Sequence, residues 1–169
     1  MNNPEYILVD EMSAIVTAVK TALSLPVLNY QFGYVEELKN NMHKMSQDPV
    51  NAALKMPLVY FVQPFTVRRD DFRYYGKTSL ELFVVNSSTQ DWTATERMTN
   101  NFKPVIYPIT RELISQVARS KVFAETTPGK VPHKITDLYY WGDQQKILNE
   151  VFDCQFITGL ELTIKINCP

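Results

Sequence analysis

The chain has 169 residues, of which 45% are hydrophobic and 12% aromatic, and its formal net charge is −1. A single domain of this length buries roughly 70% of its unfolded surface, and the even charge balance argues against a nucleic-acid binder, which would present a basic face. Cys154 and Cys168 have neither metal-binding nor redox spacing, and no apolar run approaches the ~20 residues that cross a bilayer.

The first predicted elements are two helices with a short strand between them. Pro4 suits the first turn of a helix that Pro26 ends. The apolar residues of this helix recur with a period near 3.6; they are Leu8, Met12, Ile15, Val16, Val19 and Leu23. Leu28, Tyr30 and Phe32 then alternate with polar residues, which predicts a short strand that Gly33 ends. Residues 34–45 predict a second, more polar helix with apolar positions at Val35, Leu38, Met42 and Met45.

Two apolar runs in the middle of the chain predict a pair of strands joined by a hairpin. Residues 57–62 are rich in β-branched and aromatic side chains, which favours a buried strand. Residues 78–85 alternate so that one face is wholly aliphatic. The intervening residues 67–77 combine charges and aromatic rings in a segment longer than a two-residue turn. We expect this hairpin to project and to contact a partner through Arg68, Arg69, Arg73, Tyr74 and Tyr75.

Residues 93–119 predict a long amphipathic helix. Thr93 and Glu96 have the spacing of a capping box at its start. The apolar face comprises Met98, Phe102, either Val105 or Ile106, Ile109, Leu113 and Val117. Pro104 and Pro108 each remove an amide donor and crowd the preceding turn. We therefore expect a break or kink near residues 102–103, a second segment starting at Pro104, and distorted helix at Pro108.

The last part of the chain predicts a loop followed by strands. Residues 120–134 contain turn formers, residues 135–141 alternate as a strand, and residues 147–152 fit either kind of element. Residues 160–167 alternate as the most amphipathic strand in the chain. The whole pattern predicts a single α+β domain over residues 1–169, with an antiparallel sheet of four to five strands and two main helices on one face.

The sequence carries none of four common catalytic or ligand-binding motifs. It has no glycine-rich phosphate loop, no nucleophile elbow, no His-Glu-x-x-His helix and no calcium loop. We therefore expect no enzyme and no catalytic, cofactor or metal site. Trp141 is expected to anchor the core or a subunit interface, because no basic groove accompanies it. The alternative is a small enzyme or ligand-binding domain with a site around His43, His133 and Trp141.

Several local phrases of the chain are distinctive. They are Lys55-Met56-Pro57-Leu58-Val59, Gln63-Pro64-Phe65, Phe102-Lys103-Pro104-Val105-Ile106-Tyr107-Pro108-Ile109, Tyr140-Trp141-Gly142, and a closing stretch from Asn149 through Asp153 to Gly159-Leu160-Glu161-Leu162-Thr163-Ile164. Over roughly residues 33–166 these phrases resemble a family of virion structural proteins common in phages of the Bacteroidetes. The order of elements, with a Tyr-Pro in the long helix, is also similar to the tail-terminator and tail-completion proteins of long-tailed phages.

The resemblance implies a structural protein of the virion, placed at the head–tail junction. Proteins of the tail-terminator type form closed rings, often hexamers, that cap the tail tube and join it to the head connector. The expected partners are copies of this chain, the tail tube protein and the head–tail connector protein, with neither a membrane nor a specific nucleic-acid sequence among them. Since the N-terminal residues lack the pattern of a signal peptide, we expect assembly in the cytoplasm of the host bacterium. Another virion component, such as a head-completion adaptor or a baseplate-proximal protein, is the alternative.

Overall fold

The computed structural model describes residues 4–46, 54–68, 75–89, 91–123, 131–139 and 152–165. These residues form a mixed α+β fold with one six-stranded sheet and three helices. The strands are β1 (Asn29–Tyr34), β2 (Leu58–Gln63), β3 (Val67–Arg68), β4 (Tyr75–Ser87), β5 (Lys134–Tyr139) and β6 (Phe152–Lys165). The helices are α1 (Pro4–Ala22), α2 (Val35–Ser46) and a third, continuous helix made of α3 (Ala94–Arg97), a π-helical segment (Met98–Ile106) and α4 (Tyr107–Arg119).

The sheet confirms the predicted α+β class but differs from the predicted sheet in two respects. Its strands lie in the order β1-β2-β4-β6-β5, with β3 pairing to β4, so there are six strands rather than four or five. The β1–β2 pair is parallel, whereas the other pairs are antiparallel. The β1–β2 pair is parallel because α2 lies between the two strands in the chain and begins directly after β1, so the connection crosses back to the start of the sheet before β2 begins.

One face of the sheet, which we call the helix-pair face, is covered by α1 and the third helix. Ten of the predicted apolar positions of the two helices are buried here, namely Leu8, Met12, Ile15, Val16, Val19, Phe102, Ile106, Ile109, Leu113 and Val117, whereas Leu23 and Met98 pack against this cluster and are only partly buried. They pack against the aliphatic residues of β4 and β6, namely Leu80, Leu82, Val84, Ile157, Leu160, Leu162 and Ile164. Both main helices therefore lie on one face, as the sequence predicts.

The opposite face, which we call the α2 face, carries a smaller cluster. Leu38 and Met42 of α2 pack there with residues of β2, β4 and β6, namely Leu58, Tyr60, Val62, Phe83, Val85, Phe152 and Cys154. Farther along β4 and β6, the same face presents the exposed side chains of Ser79, Glu81 and Glu161. Among the described residues, the α2 face is therefore apolar at one end and polar at the other.

The junction between β1 and α2 is held by Gly33 and its neighbours. The strand continues through Gly33 to Tyr34 instead of ending at the glycine. Gly33 has φ of 152°, and a β-carbon there would collide with the Glu37 carboxylate and the Tyr60 hydroxyl. Tyr60 donates to the Tyr34 carbonyl oxygen at 3.0 Å, and Glu37 accepts from the Tyr34 N–H at 3.2 Å. Burial, together with the nearby Glu37, raises the pKa of Tyr60 to about 12.

The third helix starts at the predicted capping box. The Thr93 hydroxyl accepts from the Glu96 N–H at 3.3 Å, and the Glu96 carboxylate accepts from the Thr93 N–H at 2.8 Å. The bond from the Thr93 N–H also lowers the pKa of Glu96. The reciprocal bonds satisfy two amide donors that a helix start otherwise leaves unpaired.

Of the expected break or kink near residues 102–103, the break is wrong, because the helix is continuous from α3 to α4 and no separate segment starts at Pro104. The chain instead widens into the π-helical segment that contains Pro104. The Tyr107 N–H donates to the carbonyl oxygen of Phe102, five residues earlier, and this wider turn accommodates the proline ring. Pro108 is the second residue of α4 and directly follows the π-helical segment, so the observed distortion lies on its N-terminal side.

The pairing of β4 with β6 shifts at a β-bulge around Gly159. Leu80 pairs with Leu160, but Leu82 pairs with Ile157, so β6 has one residue more than β4 in this interval. The extra residue places both Ile157 and Leu160 on the helix-pair face. Gly159 has φ of 61°, a left-handed conformation that costs other residues about 1–2 kcal/mol.

Replacing Gly159 with alanine is expected to lower the free energy of unfolding by about 1 kcal/mol. Alanine strains the left-handed backbone of the folded state, and this cost exceeds the stabilisation that comes from reducing the conformational freedom of the unfolded chain. In the described part of the chain, no atom lies within 4 Å of the added β-carbon, so steric collision adds nothing. Urea denaturation followed by circular dichroism measures the change. Gly159→Asn is the matched control, and its loss should be smaller because asparagine tolerates this conformation. Equal losses for the two variants would contradict the strain argument.

Candidate functional site

Two of the six residues predicted to contact a partner lie in the described structure. Arg68 ends β3 and Tyr75 begins β4, and these strands pair antiparallel, with Arg68 opposite Lys77. The two predicted strands, residues 57–62 and 78–85, are confirmed as β2 and β4, which pair antiparallel, while the projection of the residues between them stays a prediction. The other four residues, Arg69, Arg73, Tyr74 and Trp141, lie outside the described residues. The contact role of all six stays a prediction.

An open groove of about 900 Å³ lies beside this hairpin. Its lining includes two basic residues, Arg68 and Lys77, and two acidic residues, Glu81 and Glu161. Phe65 also lines it and stacks on Phe61 with ring centroids 5.0 Å apart, which ties this side of the groove to the core. Because charges of both signs share the groove, it is better suited to a polar protein surface than to the phosphate backbone of a nucleic acid.

A smaller groove of about 360 Å³, which we call the α4–β5 groove, lies between α4 and β5. It is lined by Tyr107, Thr110, Arg111, Ile114, His133, Ile135 and Gln155. Thr110 and Gln155 are only 2% and 4% exposed. Among the described residues, neither the Thr110 hydroxyl nor the Gln155 Oε1 has a hydrogen-bond partner. A buried polar atom without a partner costs about 1–3 kcal/mol, so two in one groove indicate a site for another molecule.

Asp137 fixes the orientation of polar groups beside the α4–β5 groove. Its Oδ2 accepts from the Tyr107 hydroxyl at 2.7 Å, and its Oδ1 accepts from Gln155 Nε2 at 2.6 Å. Because an ionised carboxylate only accepts hydrogen bonds, the amide nitrogen of Gln155 must point toward Asp137. Its carbonyl oxygen Oε1 is consequently an acceptor. His133 is oriented similarly, since its Nδ1 donates to the Val131 carbonyl oxygen at 2.6 Å.

The exposed large hydrophobic side chains of the described residues lie near the two edges of the sheet. Phe32 and Tyr34 of β1 are 50% and 55% exposed, and Leu54, whose carbonyl oxygen accepts from the Asn29 side chain, is 66% exposed. At the other edge, Ile135 of β5 is 41% exposed. In the described structure β1 pairs only with β2, and β5 pairs only with β6. Edge strands with exposed apolar side chains favour association with another chain.

The two edges also differ in charge. Glu36 and Glu37 lie in the first turn of α2, directly after β1, and Glu36 pairs with Lys39 at 3.1 Å. The β5 edge carries Arg111, which lines the α4–β5 groove, and Lys134 at the start of the strand. Two acidic residues therefore directly follow the exposed rings of β1, and two basic residues lie beside the α4–β5 groove, while each edge also carries a charge of the other sign, Lys39 on α2 and Asp137 on β5.

A buried ion pair that sequence reasoning misses joins the third helix to β6. Arg97 Nη1 and Asp153 Oδ1 are 2.6 Å apart, and the two side chains are 1% and 0% exposed. Asp153 Oδ2 accepts from Asn101 Nδ2 at 2.9 Å. The guanidinium also donates to the Trp92 carbonyl, the Ser88 hydroxyl and the Thr89 carbonyl. Since these charges are compensated inside the chain, the network ties the fold together and offers no binding site.

The structure does not bring the two histidines together. His43 lies on α2, which contacts β1 and β2, whereas His133 lies just before β5 at the opposite edge of the sheet. Within the described ranges, no three His, Cys, Asp or Glu residues are grouped so as to hold a metal ion. Cys154 is buried, and this burial, with the nearby Asp153 and Asp137, raises the pKa of its thiol.

Comparisons with known proteins leave the family of the chain open. No protein-family model matches the chain, and no curated protein matches it. Of the helices in the described part of the chain, none is both long enough and apolar enough to span a membrane. The function is therefore inferred from the surfaces of the fold and from the resemblance of the local phrases.

Proposed function

We propose that the chain is a structural protein of a phage virion, placed at the head–tail junction. Copies of it form a ring that terminates or completes the tail and joins it to the head connector. The resemblance of the local phrases and of the order of elements supports this proposal. The ring is expected to be a hexamer, the order common among tail-terminator proteins.

The observation that carries the proposal is the difference between the two edges of the sheet. A closed ring is built from heterologous contacts, in which one surface of a subunit meets a different surface of the next. The β1 edge exposes Phe32 and Tyr34 beside acidic residues, whereas the β5 edge has a groove beside basic residues. These unlike surfaces lie at opposite ends of one sheet, and this arrangement supports head-to-tail association.

The hairpin of β3 and β4 is the proposed contact with the tail tube. Arg68 ends β3, and Arg69, Arg73, Tyr74 and Tyr75 follow it in sequence, with Tyr75 beginning β4. Charges of both signs in the adjacent groove would set the register of the subunit on its partner more than they would add affinity. Tyrosine and arginine are also the residue types that contribute most to protein interfaces.

The purified chain is expected to form a closed ring at micromolar concentration, because burial of the exposed apolar side chains favours association. Mass photometry measures the number of subunits, and negative-stain electron microscopy shows whether the ring is closed. A variant with Arg68, Arg69 and Arg73 replaced by serine is the control, since it should still form the ring and should lose binding to tail tubes. A chain that stays monomeric, together with virions that lack such a ring, would contradict the proposal.

The position of the chain in the virion separates the proposal from its alternative. Cryo-electron microscopy of the particle is expected to place the ring between the tail tube and the head connector. Density for the chain within the head-completion layer or near the baseplate would instead favour another kind of virion component.

A further inference from the structure

We infer that the ring closes by docking of the β1 edge of each copy into the α4–β5 groove of the next copy. This inference rests on the proposed function and names the contact that builds the ring. The occupant of the groove is a second copy of this chain, and its inserted side chains are Phe32 and Tyr34.

The first argument is the chemistry that the groove requires. Gln155 Oε1 is a buried acceptor whose orientation is set by the bond from Gln155 Nε2 to Asp137, and the Thr110 hydroxyl beside it also has no partner among the described residues. Ile114 and Ile135 supply apolar lining in the same groove. A suitable occupant must therefore be apolar along its length and must carry a hydrogen-bond donor.

The β1 edge offers a side chain of this kind. Tyr34 is 55% exposed, and it combines an aromatic ring with a hydroxyl that can donate to Gln155 Oε1 or to Thr110. Phe32, two residues earlier and 50% exposed, adds a second ring. The backbone of Tyr34 is held by bonds to Glu37 and Tyr60, so this part of the edge is already ordered before association.

Charge complementarity supports the same pairing. Glu36 and Glu37 follow Tyr34 directly, and Arg111 lines the groove. Docking of the β1 edge would bring these carboxylates toward Arg111 and Lys134 of the next copy. Docking of two β1 edges or of two β5 edges would instead oppose charges of the same sign, so the head-to-tail contact is favoured.

Two variants with complementary defects test the inference. The edge variant carries Phe32→Ser and Tyr34→Ser, and the groove variant carries Ile135→Glu, which adds a negative charge opposite Glu36 and Glu37. Each variant alone should raise the concentration for half-assembly by at least about 30-fold, the change that matches a hot-spot loss of about 2 kcal/mol. An equimolar mixture should form a dimer containing one copy of each variant. The intact β1 edge of the groove variant can dock into the intact groove of the edge variant, and no further copy can then be added. Mass photometry at a series of concentrations measures both effects.

The controls make the outcomes distinct. Asp91→Asn changes an exposed residue that lines neither groove and should assemble as the unmodified chain does. If the unmodified chain forms rings and both variants still form them, the docking inference is overturned and the proposed function stands. If the unmodified chain stays monomeric throughout, both fail. Rings lost in each variant, with no mixed dimer in the mixture, would also overturn the inference.

Disulfide trapping provides a second measurement that does not depend on weakened assembly. One copy carries Tyr34→Cys and the other carries Ile135→Cys, both in a Cys168→Ser background, while Cys154 is buried. Oxidation of the mixture should yield a covalent dimer containing one copy of each, and a chain carrying both cysteines should yield a ladder of higher multimers. Absence of these products from assembled rings would place the contact elsewhere on the subunit.

Discussion

Replacing Asp153 with alanine is expected to lower the free energy of unfolding by about 3–5 kcal/mol, the usual loss when one partner of a buried ion pair is removed. The large effect arises because Arg97 is 1% exposed and would keep its charge without a carboxylate at 2.6 Å. Asn101 would also lose the acceptor of one of its amide hydrogen bonds. Urea denaturation of the purified chain, followed by circular dichroism and intrinsic fluorescence, measures the loss.

A double variant separates the unpaired charge from the loss of packing. Arg97→Met with Asp153→Leu removes both charges and should be less destabilising than Asp153→Ala alone, because no lone cation stays buried. Asp153→Asn keeps the size of the side chain but supplies one acceptor where two donors converge, so its NH2 group opposes either Arg97 or Asn101 and its loss should stay close to that of Asp153→Ala. A loss below about 1 kcal/mol for Asp153→Ala would show that Arg97 reaches water or another partner when the carboxylate is absent.

The period of the apolar residues predicts most elements of this fold, because each period corresponds to one face of a helix or strand. It places α1, the third helix and β4 correctly, and the capping box locates the start of the third helix at Thr93. It cannot set the direction of β1 relative to β2, since alternation is the same in parallel and antiparallel strands. The two prolines also predict a break or kink near residues 102–103, whereas the helix is continuous and a π-helical segment accommodates Pro104.

The grooves are much harder to predict, because their residues are distant in sequence and ordinary in type. Thr110, Asp137 and Gln155 come from a helix and two strands, and only the register of β5 with β6 places Asp137 opposite Gln155. One local signal is available for the buried network: Arg97 and Asn101 are four residues apart and directly precede the apolar positions Met98 and Phe102. Polar residues at the margin of an apolar helix face can mark such a network when a partner lies on the facing strand.

Phe102 is the second position where a large effect is expected, and Phe102→Ala should lower the free energy of unfolding by about 3–5 kcal/mol, the usual cost of truncating a buried phenylalanine. Its ring is fully buried on the helix-pair face and lies 5.6 Å from the ring of Tyr107. Because Phe102 also accepts the π-helical bond from Tyr107 through its backbone, truncation removes side-chain packing while this backbone bond can persist. Thermal and urea denaturation measure the loss. Val105→Ala in the same segment is the matched control, and its loss should be smaller because Val105 is only partly buried. Similar losses at the two positions would mean that the π-helical segment presents a different face to the sheet.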